Sequence, residues 1–162
     1  MPGARTRCGT AREQSALGSP PPHFTAALDG MDALITAAES GPEHGLPLLA
    51  EALAWAVAQG CPEQTVVGLV DSVAELLTRL GDLPRAARLL GAADRLLGDL
   101  VRLPPERQET EHRNTALRTA LGPAVHTAER TRGERLTSDG LVRELHEAAR
   151  THAPRPPAEP SP

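Results

Sequence analysis

The sequence predicts an all-α chain of about seven helices stacked as antiparallel hairpins, and three observations carry that expectation. Its 162 residues are 40% apolar, enough for the core of one domain, yet Phe24 and Trp55 are the only aromatic side chains. Strands draw on aromatic and β-branched residues, so a core of Leu, Val and Ala favours packed helices. Turn-forming residues recur roughly every 20 positions, at Ser40 to Pro42, Gly60 to Pro62, Gly81 to Pro84, Pro104 with Pro105, and Gly122 with Pro123. Between these points apolar residues return at spacings of three and four, the period of one helix face.

Taken in order, residues 1–21 are rich in Gly, Ser, Pro and Arg without periodicity and are expected to be disordered. Helices are expected over 23–39 and 45–59, each closed by a glycine and a proline. The clearest helix spans 63–80, where Val66, Val67, Leu69, Val70, Val73, Ala74, Leu76, Leu77 and Leu80 make a broad apolar face. Over 84–101 the pattern returns with Leu89, Leu90, Leu96, Leu97 and Leu100, while Arg85, Arg88 and Arg95 fall largely opposite. Pro84 suits a first helical turn and Asp82 is placed as its cap, so Gly81 to Pro84 reads as a tight turn between antiparallel helices. Three more helices are expected over 105–121, 124–132 and 138–150, the last begun by Ser138 or Asp139. Residues 151–162 form a proline-rich tail, which leaves 22–150 as the folded domain.

The strings LLAEALAWAVAQGCPEQ and VAELLTRLGDLPRAARLL each hold a helix, a glycine, a proline-bearing turn and a second helix start. A paired-helix unit of about 40 residues is near the range of tetratricopeptide-like α-solenoids, whose units bury their faces on one another. The expected architecture is therefore a right-handed stack of about three such pairs, with a last helix as a cap. Ala74, Ala86 and Ala93 supply the small side chains that close helix approach requires.

Composition removes several function classes. The chain has no lysine, which excludes a phosphate-loop lysine, a Schiff base and a lysine general base. Its net charge is −4, with −7 in residues 23–101 and a small positive balance on either side, and no segment is basic enough for nucleic-acid binding. Cys8 and Cys61 stand in unrelated contexts, without a signal peptide or long apolar run, which points to a reduced cytoplasmic protein with no membrane span. Six histidines show no metal-ligand spacing; the nearest grouping, Glu111 and His112 with His126, His146 and Glu147, requires three helix faces to match. No G-x-S-x-G turn exists and Cys61 has no nearby base. No catalytic, cofactor or metal residue is therefore assigned.

Contact residues for a partner or ligand are easier to nominate. Trp55, one turn after Glu51 on an Ala- and Leu-rich helix, is either core or an anchor in a solenoid groove. Arg130, Arg132 and Arg135 offer a phosphate or an acidic partner some charge, largely cancelled by Glu129 and Glu134. Asp71, Glu75, Asp94 and Asp99 form either a docking face for a basic partner or a solvated surface. A small-molecule-binding protein or a weak enzyme is the alternative, its pocket lined by Leu and Val with Trp55, His112 or His126 as anchors. An uncapped solenoid end near Leu28, Met31, Leu34 and Ile35 would favour a homodimer.

The order of VDSVAELLTRLGDLPRAARLLGAADRLLG, LPPERQETEHRNTALRTALG and GERLTSDGLVRE over residues 46–150 resembles the carboxy-terminal tetratricopeptide-like region of large ATP-binding transcription regulators of the LuxR and AfsR/SARP kinds. The resemblance implies a protein-interaction or sensor module in regulation, not an enzyme, standing alone or as a fragment of a larger regulator. The nucleotide-binding and helix-turn-helix domains of such regulators do not fit in 162 residues, so their ATP and DNA chemistry is not carried over. Near Thr110, Asn114, His126 and Arg130 the family usually has tyrosine, leucine, phenylalanine and tryptophan. If those positions face the core, each change forfeits roughly 1.5–3 kcal/mol of apolar burial, leaving 105–132 loosely held or resting on a partner.

Overall fold

The structure, a computed structural model, describes residues 20–98 and 106–154 together with Thr6, Arg7, Gly9, Thr10, Gly18, Leu100, Arg102 and Pro104. Most of the segment 1–21 and of the proline-rich tail lies outside the described residues; within that segment, expected to be disordered, Thr6, Arg7, Gly9 and Thr10 have helical backbone. Seven helices are described: α1 (Pro22–Ser40), α2 (Pro42–Ala58), α3 (Glu63–Arg79), α4 (Leu83–Leu97), α5 (Glu106–Leu121), α6 (Pro123–Glu134) and α7 (Ser138–Thr151). Among the described residues there is no strand. The chain is all-α, built of stacked helical hairpins, and no described helix is long and apolar enough to cross a membrane.

Proline in the first turn starts α1, α2, α4 and α6, where its missing N–H removes no intrahelical bond. Helix α2 begins at Pro42, three residues before its expected start, and runs through Pro47 in its second turn. That proline omits only the bond to the Glu43 carbonyl, close to an end where few bonds are at stake. Helix α4 stops at Leu97, short of the expected 101, because Gly98 turns the chain at φ 54° and ψ −123°. Asp82 caps α4 as expected, accepting from the Arg85 N–H at 3.4 Å. On α7 the cap is Thr137, whose Oγ1 accepts from the Gly140 N–H at 3.1 Å, in place of the expected Ser138 or Asp139.

Most of the apolar core lies among α1 to α4, joined by Leu117 of α5 and Leu141, Leu145 and Ala148 of α7. Leu46, Leu49 and Leu53 of α2, Val70, Val73, Leu76 and Leu77 of α3, and Leu89 and Leu90 of α4 are fully buried. Full burial of such a side chain contributes about 1.5–3 kcal/mol, so these helices carry most of the hydrophobic stabilisation. Ala74, Ala86 and Ala93 are fully buried too, where α3 and α4 pack together. The closest approach lies elsewhere, between α4 and α6. A Cβ on Gly133 would stand 1.8 Å from the Arg88 carbonyl oxygen, and one on Gly91 would stand 2.2 Å from the Arg130 carbonyl oxygen. The two backbones touch, and only glycine fits on either side.

The first two hairpins follow the chain, with α1 on α2 and α3 on α4, and α3 bridges the first pair to the second; α6 packs chiefly on α4 and only lightly on α5. The last helix departs from the expected cap. Rather than covering α6, α7 folds back onto α2, burying Leu141, Leu145 and Ala148. The folded domain also continues past its expected end at 150, since the His152 ring reaches Asp82 at 3.0 Å. The apolar end expected to favour a homodimer is largely interior: Leu28 and Ile35 are buried, Leu34 is half-buried, and Met31 alone of the four is exposed.

Candidate functional site

Among the described residues, two of the open clefts and two ion-pair networks gather the ionisable side chains. The first cleft, about 550 Å³, lies between α1 and α2 and is lined by Asp29, Asp32, Thr36, Leu48, Glu51 and Trp55. Helical spacing accounts for the lining, since Leu48, Glu51 and Trp55 recur at three and four residues along α2. Trp55 rests one side on the core and is half-buried, while Leu48 is 46% exposed. Glu51 stands on the rim, 3.5 Å from the Nε2 of His146 on α7.

The second cleft, about 400 Å³, opens between the end of α4 and α5, with Arg130 of α6 on its wall. Here the four residues Thr110, Asn114, His126 and Arg130 come together. Thr110 and His126 are buried. Asn114 Oδ1 accepts from Arg130 Nη1 at 3.3 Å and meets His126 Nε2 at 2.8 Å. A guanidinium only donates, so the oxygen of Asn114 must face Arg130, and His126 therefore carries its proton on Nε2. Asp94 accepts from both Arg130 and Arg102. Arg102 in turn grips Asp71 through Nε at 3.0 Å and Nη2 at 3.2 Å, a bidentate pair between the segment after α4 and helix α3. Arg113 of α5 donates to the Asp71 carbonyl at 3.3 Å and to Glu75 at 3.4 Å.

Charge settles unevenly across this cluster. Burial raises the Asp71 carboxyl above its ordinary value in spite of Arg102 and Arg113. Burial also works against Asp94, but the hydrogen bonds from Arg102 and Arg130 outweigh it and hold that carboxyl below the usual carboxylate range. The Arg102 guanidinium, desolvated but held by both aspartates, is raised. His126 is lowered by burial first and by the charges of Arg130 and Arg118 second, so its ring favours the neutral form.

The second network is an alternating chain of charges that fastens α4 to α6 and α7. Arg132 pairs with Glu129, Glu129 with Arg88 at 2.7 Å, and Arg88 with Glu144 at 2.5 Å. Glu144 then pairs with Arg85 at 3.0 Å, Arg85 with Asp82 at 2.6 Å, and Asp82 with His152 at 3.0 Å. Glu129 is buried, and its pairing to Arg88 on the neighbouring helix is what makes that tolerable. Burial is outweighed at Asp82 by His152 and Arg85, which hold its carboxyl low, and at Arg88 by Glu129 and Glu144, which raise the guanidinium.

The nominated contact residues divide accordingly. Trp55 and Glu51 share the first cleft, His126 and Arg130 belong to the polar cluster of the second, and His112 is exposed and lines neither. No described cleft brings Trp55 together with His112 or His126. Of the acidic face, Asp71, Glu75 and Asp94 are paired to arginines within the chain, while Asp99 lies outside the described residues. In the arginine run, Arg130 and Arg132 hold Asp94 and Glu129. Among the described residues no three His, Cys, Asp or Glu side chains gather as a metal site. Arg102, Asn114 and Thr110 do not stand out as contact residues in the sequence. For Thr110 and Asn114 the signal is the run of polar residues on the inward positions of 106–121, a missing apolar stripe; Arg102 lies before that helix and carries no such signal.

No model of a known protein family, no curated protein and no solved structure matches the chain.

Proposed function

We propose that the protein is a non-enzymatic helical-repeat module that binds a protein partner, acting as an interaction or sensor element in a regulatory system. The observation that carries this is the cleft between α1 and α2, where a half-buried Trp55 and an exposed Leu48 stand beside the rim carboxylate of Glu51. An amphipathic aromatic with an apolar neighbour and a polar rim is the composition of an interface anchor. The ionisable groups at the other cleft and along α4 hold one another in ion pairs, which suits a scaffold better than acid–base or nucleophilic catalysis. The resemblance over residues 46–150 supports a tie to transcription regulators.

Site-specific photocrosslinking in the native host tests this, with the crosslinking residue placed at Leu48 in one full-length variant and at Val125 of α6 in another. Val125 is also exposed, at 47%. A discrete protein adduct through position 48 that is absent through position 125 is expected. No adduct at 48, or the same adducts at both positions, overturns the proposal.

A further inference from the structure

We infer that the cleft between the end of α4 and α5 is a binding site for a small oxyanion-bearing ligand, a carboxylate or a phosphate, held by Arg102, Arg107 and Arg130. This does not depend on the partner cleft between α1 and α2. Three guanidiniums line the space with the carboxylates of Asp94 and Glu111, while Asp71, the third carboxylate of the cluster, lies behind Arg102 and is not among the lining residues. Helix α5 begins at Glu106, and Arg107 and Thr110 in its first turns border the cleft, so the positive end of a 16-residue helix adds to the same field.

Donors are available where the cleft opens. Arg130 spends Nη1 on Asn114 and Nη2 on Asp94, and each of those nitrogens carries a second hydrogen. Arg107 is 54% exposed and has Glu111 only at 3.7 Å, an exposed pair that holds it weakly. Beneath them, Arg102 and Arg130 are 12% and 18% exposed and are fixed by Asp71, Asp94 and Asn114, so their planes are set before any ligand arrives. Leu97 and Leu100 supply an apolar wall for the rest of such a molecule.

This network helps to dock α5 and α6, yet docking alone does not call for it. Replacing a buried ion pair by apolar side chains of similar size is often neutral or stabilising. Buried arginines that instead border open space, oriented by a second layer of carboxylate and amide, form the arrangement that planar recognition of carboxylate or phosphate uses.

The test is a titration of the full chain, labelled for arginine side-chain NMR, with inorganic phosphate and separately with succinate. Chloride keeps ionic strength constant throughout. Saturable shifts of the Arg102, Arg107 and Arg130 Nε–H signals are expected with at least one probe, phosphate alone marking a phosphoryl ligand and succinate alone a carboxylate. Arg107→Gln, a change at an exposed side chain, is expected to weaken the saturating probe by about tenfold, the size of one lost charge-assisted hydrogen bond. Arg150→Gln on α7 is expected to leave it unchanged. Shifts that stay linear or match those caused by chloride overturn the assignment, and so does unchanged affinity in Arg107→Gln.

Discussion

The first four helices and the α5–α6 hairpin are docked by different physics. In α1 to α4 the inward positions are Leu, Val and Ala, and the interface is apolar burial. In α5 the inward residues are Thr110, Asn114, Leu117 and Leu121, and in α6 they are His126, Glu129, Arg130 and Gly133. Leu117 is the one described apolar side chain of this hairpin that is fully buried. What substitutes for apolar area is backbone contact at Gly91 and Gly133 together with arginine pairing on both flanks. A helix with no buried apolar side chain can therefore sit closer to its neighbour than a leucine-rich one does, provided glycine clears the way and every buried charge is paired.

The contrast can be broken most forcefully in the apolar half. Leu77→Ala deletes a fully buried side chain of α3 and is expected to lower the global unfolding free energy by about 2–5 kcal/mol, read by urea denaturation. Next comes the crossing. Gly133→Val places side-chain atoms where the Arg88 carbonyl already stands, and is expected to destabilise by about 2–3 kcal/mol. Hydrogen exchange distinguishes the two, because Gly133→Val should speed exchange in α5 and α6 while amides of α2 and α3 keep their protection. Uniform loss of protection would mean that the two regions unfold as one.

Acid offers a gentler lever, and its sign follows from the groups involved. His126 is held below its ordinary value of 6.5, so the unfolded chain binds a proton that the folded chain refuses. The stability this contributes is present above about pH 6.5 and falls as the solution is acidified below it. Asp94 and Asp82, lowered from 3.8, stabilise the fold above that value and lose their contribution as pH falls further. Asp71, raised from 3.8, runs the other way and restores part of it. Opening of α5–α6, followed by exchange corrected for intrinsic rates, is expected to increase in two steps, below pH 6.5 and again below pH 4, with His126→Gln abolishing the first. A single step near pH 4 in the unaltered protein would remove His126 from this account. The smallest effect expected is at Gly68, an exposed position of α3 where an added methyl group would meet nothing within 4 Å. Gly68→Ala is expected to raise stability by roughly 0.5–1 kcal/mol, measured by thermal melting.

Local chemistry made much of the fold legible from the sequence. Gly81 with Asp82 and Pro84 marks a turn by backbone preference alone, and the buried alanines 74, 86 and 93 follow from period and size. What stayed hidden depends on pairs far apart in the chain. Nothing local ties Gly91 to Gly133, Arg102 to Asp71, or α7 to α2. Pro47 inside α2 misleads in the other direction, since proline reads as a boundary unless its place in the helix is known. At the second cleft, His126 and Arg130 stood out as polar residues at inward positions, but Asp94 and Arg102, which complete their network, look on sequence like any solvated charge.

The return of α7 to α2 also bears on how the chain is made. An array in which each hairpin meets only its neighbours can fold as it leaves the ribosome, one unit after another. Here Glu51 meets His146, a contact between the second helix and the last, and Leu141, Leu145 and Ala148 find their burial late. A nascent chain that has not yet exposed Ser138 keeps one flank of α2 uncovered, however well its first six helices have formed. The long sequence separation of that closure places it after the local hairpins in the order of synthesis.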